Sequence, residues 1–350
     1  MFDWERNLKT ITSLYGISGE ELSVANWIQK EIDPLVQKTY INTLGSLVAI
    51  KKGVGKRKGR LMISTHIDEI GFVVGAILDG GFLKVEPRGG VDPKILQAQE
   101  CYVRDINNEM LPSVFSTVPP HLIKPEERNK VASYDTLILD TGLTEEEVKK
   151  RIRIGSTIVF KAPFISLLND RFSSKTMDDR ACATVSMAVI HELTKIYHEW
   201  DIYFVFSTQE EVGLIGAGTS AWGINPDVAI AMDVGFASQE GYVGLTLGDG
   251  PGLGVGPNFT PKIVEDIKNV AKNESIPLPL EPAARPGGTD AGAIQITRGG
   301  IPTALLSVPI KYMHTPIELV DLKDCKYTVK LLTEYIKNLD TEYLEGLKWS

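Results

Sequence analysis

"DIYFVFSTQEEVG", residues 201–213, joins an apolar run rich in β-branched and aromatic residues to two adjacent glutamates and a glycine. A run of that composition reads as a buried strand. Glu210 and Glu211 then fall just past its carboxyl end. Left unpaired there, neighbouring carboxylates would repel each other and lose solvation. A positive group is therefore expected close by. In an extended stretch successive side chains point to opposite sides, so the two glutamates are expected to reach different parts of one site.

Around this strand the chain alternates. Residues 178–200 read as a long helix, 214–223 as a short helix and 227–233 as a strand. "YVGLTL" (242–247) reads as a further strand, 260–275 as a helix, "TALLSV" (303–308) as a strand and 321–339 as a helix. Strand–helix alternation implies an α/β layer architecture. Upstream, "LVAI" and "RLMIST" read as strands, with Ser18 as N-cap of a helix beginning at Gly19. Between Gly71 and Ala162 the pattern changes to short alternating runs broken by Gly, Pro and Asn, as in a small β-rich module. Within it, Thr144 and Glu147 form a capping box at the start of a short helix. The expected organisation is an α/β domain in two parts, residues 1–70 and 163–350, interrupted by a β-rich module at 71–162.

Bulk properties narrow the function. The chain has 350 residues and a net charge of -8, which argues against nucleic acid as a general partner. The basic stretch "KKGVGKRKGR" (51–60) reads as a solvated hairpin loop. There is no apolar run of membrane-spanning length, and the first residues lack a signal-peptide pattern. Cys101, Cys182 and Cys325 are odd in number and form no CxxC pair. A reducing cytoplasm is expected.

Acids and histidines recur at expected strand ends. His66 and Asp68 follow "LMIST", Glu210 and Glu211 follow "YFVFS", Asp233 closes "VAIAM", and His314 lies shortly past "TALLSV". Asp178 and Asp179 precede the long helix. In open α/β sheets ligands collect at the carboxyl ends of strands. Two imidazoles with several carboxylates suit divalent zinc, cobalt or manganese. Metal cations would offset the clustered negative charge.

The segments "THIDEIGF" (65–72), "TMDDRA" (176–181), "QEEVGLIGA" (209–217), "AMDVG" (231–235), "GGTDAGAIQ" (287–295) and "YMHTPIELVDL" (312–322) resemble, in order, the signature segments of the M42 metallo-aminopeptidases. That family includes glutamyl and deblocking aminopeptidases and the tetrahedral TET peptidases. The resemblance extends from about Gly16 to Leu339 and takes in "GGVDPKILQAQ" (89–99) and "VPPHL" (118–122) of the module. It departs at Cys182–Ala183, a packing position where relatives usually carry a glycine. The resemblance implies a phosphorylase/hydrolase-like zinc-peptidase domain with an inserted small, PDZ-like β-barrel. It implies two divalent metal ions per subunit, with Zn²⁺ first and Co²⁺ or Mn²⁺ as alternatives. His66 and Asp233 would bind one ion, Glu211 and His314 the other, and Asp178 both. Glu210 would be the general base toward a water held between the metals, and Asp68 would orient His66. Asp290 would lie close by, and the Asp178–Asp179 peptide would be cis. The substrates would be peptides shortened from the N-terminus. The inserted module would build dimers that assemble into a dodecamer.

Several residues carry plainer readings. His121 reads as structural or as a subunit contact, His191 and His198 as surface or packing residues, and Asp179 as a helix cap. Arg285 and Lys311 lie near site segments and could favour an acidic substrate side chain. Two further functions stay open. One is an endoglucanase-type glycoside hydrolase, disfavoured because Glu210 and Glu211 point apart. The other is a non-catalytic assembly protein that retains the fold.

Overall fold

The strand Asp201–Ser207 lies between Leu47–Lys51, to which it is antiparallel, and Arg60–His66, to which it is parallel. This computed structural model describes residues 2–55, 59–122, 133–284 and 287–347. Val228–Phe236 and then Thr303–Lys311 continue the parallel set. Both flanks are antiparallel, with Lys38–Ile41 on one side and Glu318–Asp321, Arg171–Ser174 and Ile165–Leu167 on the other. The parallel strands are buried on both faces, which is why they read as nearly continuous apolar runs. Met177–Glu192, packed with Leu322–Lys337 and Trp4–Ser13, covers one face. Ile215–Ile224 and Asp290–Gln295 pack together on the other.

The insertion is a closed antiparallel barrel. Its strands run in the order Gly71–Ile77, Leu83–Arg88, Ile138–Asp140, Met110–Phe115, Glu100–Arg104, Thr157–Phe160. Closure leaves no free sheet edge. Phe72, Phe115 and Phe160 fill its own core, with Phe72 edge-to-face at 5.2 and 5.6 Å from the other two rings. The Thr144–Glu147 capping box is formed as expected.

Four local expectations are corrected, and one helix is added. The basic stretch 51–60 is not a hairpin: Asp201–Ser207 sits between the strands it connects. Residues 56–58 of it lie outside the described residues. The second helix starts at Leu22, because the Ser18 hydroxyl is donated to Asp68 instead of capping a helix. A first helix, Trp4–Ser13, precedes it and is capped by Asp3. The long helix stops at Glu192, and the Thr194 hydroxyl bonds the carbonyl of His191 at 2.8 Å. Such a side-chain bond offers the backbone an alternative to another helical turn. Residues 242–247 form only isolated bridges, because Leu245 is buried while Val243 is 92% exposed and Tyr242 49% exposed, too little burial to fix a strand.

A buried ion cluster locks the N-terminal segment onto the sheet. Arg180 is fully buried and donates to the carbonyls of Ile11, Leu14, Gly16 and Ile67. It also pairs with Glu69 at 3.2 Å, and Lys175 bonds the other Glu69 oxygen. Removing one partner from such a set typically costs about 3–5 kcal/mol. The cluster thus fixes the segment carrying His66 and Asp68.

Candidate metal centre

The four segments that follow the parallel strands converge. His66 is the last residue of its strand, Asp233 lies in Val228–Phe236, and His314 follows Thr303–Lys311 in a turn with φ +62. Glu210 and Glu211 sit in a turn, not a strand: the strand ends at Ser207, Gln209 has φ +58, and the N–H groups of Gly213 and Leu214 donate to the Glu210 carbonyl. The two side chains diverge because of that turn and not by strand alternation.

Asp178 is the hub. Its Oδ1 stands 3.0 Å from His66 Nε2 and its Oδ2 3.3 Å from His314 Nε2. His314 Nε2 is also 3.3 Å from Glu211 Oε1. Asp233 Oδ1 lies 3.8 Å and Glu210 Oε2 4.0 Å from His66 Nε2. Three donor triads result, each with donor atoms within 4.8 Å of one another: His66–Glu210–Glu211, and the pair His66–Asp178–Asp233 and Asp178–Glu211–His314. Asp178 belongs to both members of that pair. The peptide bond between Asp178 and Asp179 is cis.

A second set of groups holds these side chains in place. Asp68 is fully buried and accepts from the Ser18 hydroxyl and from the backbone N–H of both Glu210 and Glu211. It thereby ties two strand ends together. Its Oδ1 is 3.4 Å from His66 Nδ1, which has no well-aligned hydrogen-bond partner. Asp290 accepts from the Ser64 and Ser207 hydroxyls, at 2.9 and 2.6 Å, which places it between the same two strands. Asp179 does not act as a simple helix cap. It accepts from the His66 N–H at 3.2 Å. Cys182 Sγ donates to the Asp233 carbonyl at 3.2 Å, so the position that departs from the family pattern touches a site strand.

Two contributors escaped sequence reasoning. Glu318 is buried and accepts from the N–H of Asp178 (3.0 Å) and of His314 (2.8 Å), joining two segments of the site. Its partners are backbone groups, which leave no mark in a sequence. The only signal was its place four residues after His314. The second is Gly90, whose carbonyl accepts from His314 Nδ1 at 2.6 Å, so that Nε2 faces the acids. A Cβ at Gly90 would stand 2.9 Å from that nitrogen. The inserted module thus reaches into the site through the loop 89–92. His121 is exposed, and His198 is buried with Nδ1 2.8 Å from the Trp200 carbonyl. Lys311 ends its strand, and Arg285 lies outside the described residues.

The electrostatics are those of crowded acids. Burial, with the charges of Asp233, Asp290 and Glu211, pushes the Glu210 carboxyl up to about 10 against the pull of His66. Burial raises Asp233 well above its ordinary value, aided by Asp178. Burial also acts on Asp178, but hydrogen bonds from both imidazoles hold it below the usual carboxylate range. His314 goes up to about 11 despite burial, through Asp178 and Glu211. Glu210 Oε1 and Asp179 Oδ1 are buried without a hydrogen-bond partner. The hard carboxylate and imidazole donors, in two triads with a shared acid, fit two divalent cations. A cavity of about 470 Å³ opens over these residues, walled further by Phe236, Phe259, Leu305 and Met313.

The sequence matches the family described as M42 glutamyl aminopeptidase over residues 45–331. The chain belongs to the M42 peptidase family. It is 39% identical to the lysyl aminopeptidase of Pyrococcus furiosus, over 97% of this chain and 99% of that protein. The TET aminopeptidase of Thaumarchaeota archaeon SCGC AB-539-E09 superposes with a TM-score of 0.92 at 32% identity, covering 98% of each chain. The Pyrococcus horikoshii TET1 peptidase, described as assembling into a tetrahedron or a large octahedral shell, gives 0.86 at 29% identity, over 96% of this chain and all of that one. M42 membership makes the chain an aminopeptidase and implies divalent metal ions.

Proposed function

We propose that the chain is a two-metal aminopeptidase that removes N-terminal residues from peptides, with Glu210 as general base. The observation that carries this reading is Asp178 turning one carboxylate oxygen to each of two histidines. His66 and Asp233 would hold one ion, Glu211 and His314 the other, and Asp178 both. When bound, such a pair supplies Lewis acidity and a nucleophile at neutral pH. Glu210 touches the cluster through Oε2 near His66, while its Oε1 is free of partners. It takes a proton from the attacking water and returns it to the departing amine. Asp68 orients His66, and the apolar cavity walls exclude water from the reacting groups. Chelation with EDTA is expected to abolish aminoacyl-p-nitroanilide hydrolysis, and Zn²⁺, Co²⁺ or Mn²⁺ to restore it. Full activity in protein shown to be metal-free would reject the proposal.

Glu318→Gln is expected to lower metal affinity or activity by roughly 10–100-fold, the scale of lost supporting contacts around a metal site. The amide offers one acceptor where two N–H groups converge. An unchanged metal titration would assign Glu318 a purely structural part.

Glycoside hydrolysis is not excluded by strand alternation, since Glu210 and Glu211 do not lie in a strand. What weighs against it is that Glu211 faces an imidazole and all three donor triads contain histidine. Glycosidases need two carboxylates and no imidazole. Activity on carboxymethylcellulose alone would reverse this judgement.

The barrel Gly71–Phe160, placed within the residues 71–162, is proposed to mediate homo-oligomer assembly, which in the tetrahedral architecture means six dimers joined into a dodecamer. The shells described for the horikoshii peptidase support this reading. Light scattering is expected to give a large oligomer, and a monomer near 38.5 kDa at micromolar concentration would contradict it. A reducing, cytoplasmic location fits three free, buried cysteines. Among the described residues no helix is long and apolar enough to cross a membrane.

A further inference from the structure

The cavity over the site contains one acid that the mechanism does not use. Glu281 lies in the short strand Leu280–Pro282, which runs parallel to Gly252–Val255 and pairs through Gly254. Its Oε2 is buried and has no hydrogen-bond partner. Burial raises its carboxyl, and only the Ser307 hydroxyl opposes that. Among the described residues no Lys or Arg pairs with it or lines the cavity. A buried carboxylate without a cation is costly, so its presence calls for a function.

Two glycines make the seat for this carboxylate. A Cβ at Gly252 would stand 2.3 Å from Glu281 Oε2, and one at Gly235 would stand 2.9 Å from Oε1. Gly235 is two residues beyond Asp233 on the same strand. That separation is roughly 6.6 Å and keeps both residues on one face of the sheet. An extended lysyl side chain has about this reach. The walls between, Phe236, Phe259, Leu305 and Met313, are suited to methylene groups and not to a second charge.

We propose that Glu281 makes this cavity the pocket for a cationic N-terminal side chain, lysine or arginine, which rests on the aminopeptidase reading above. The substrate's ammonium or guanidinium group meets the Glu281 carboxylate, and its stem packs on the apolar walls. This is opposite in sign to the acidic preference that Arg285 and Lys311 allow from the sequence.

The test is a panel of aminoacyl-p-nitroanilides on the metal-loaded enzyme, together with calorimetric binding of free lysine, norleucine and glutamate. Lysyl and arginyl substrates are expected to lead, norleucyl to follow and glutamyl to trail. In Glu281→Gln the ratio of kcat/KM for lysyl over norleucyl substrate should fall by roughly 10–100-fold, the scale of one charge-assisted hydrogen bond. Gly252→Ala should lower the same ratio while keeping the charge, because the new Cβ displaces the carboxylate. Glu281→Asp should recover part of it. A ratio unchanged in Glu281→Gln overturns the proposal. So does a preference for glutamyl substrate that disappears in Arg285→Ala. If no substrate is cleaved but lysine binds tighter than norleucine, and this depends on Glu281, the pocket assignment stands and the aminopeptidase reading falls. Equal binding of the two overturns the pocket assignment.

Discussion

Glu210→Gln is expected to lose catalysis by roughly 10²–10⁴-fold, or more, while keeping both metal ions. The range is that of general acid–base work, and the upper end applies because one carboxylate serves both proton transfers. The amide keeps the shape and the turn, since the turn is closed through the Glu210 carbonyl and not through its side chain. Glu211→Gln is expected to behave differently. Its Oε1 faces His314, so the variant removes an anionic donor from one triad of the proposed metal pair. One ion should bind far more weakly, and some activity should return at high metal concentration. Measuring kcat and metal content for both variants separates the two roles.

Asp178→Asn is expected to have the widest effect on the metals. Every other donor belongs to one metal triad of the pair proposed, whereas Asp178 belongs to both. Losing its charge weakens both ions at once. The loss in affinity should exceed the roughly 10–100-fold typical of supporting residues. Activity should fall with it, and excess metal should recover less than it does for Glu211→Gln. The measurement is a metal titration followed by elemental analysis. Equal retention of metal in Asp178→Asn and wild type would remove Asp178 from the centre of the site.

The sequence made the parallel strands legible because their double burial writes itself as apolar runs, as in Asp201–Ser207 and Val228–Phe236. It made the convergence of His66, Asp178, Glu210, Glu211, Asp233 and His314 legible because each stands at or shortly past the end of an apolar run, or just before one. Geometry set by non-local contacts was not legible. Strand order hid the insertion of Asp201–Ser207 between Leu47–Lys51 and Arg60–His66, so the basic stretch looked like a hairpin. Ser18 resembled a helix cap because its partner, Asp68, is 50 residues away. Glu318 and the Gly90 carbonyl work through backbone groups, which have no residue signature. Glu281 lies in a three-residue strand with no periodicity, and only the cavity beside it shows what its charge faces.

The most direct test of the central claim is elemental analysis of purified, metal-saturated protein, with wild type, Glu210→Gln and Glu211→Gln measured side by side. The expected result is two divalent ions per chain in wild type and in Glu210→Gln, and one firmly held ion in Glu211→Gln. One ion or none in saturated wild type, or two in Glu211→Gln with a loss in Glu210→Gln, would contradict it.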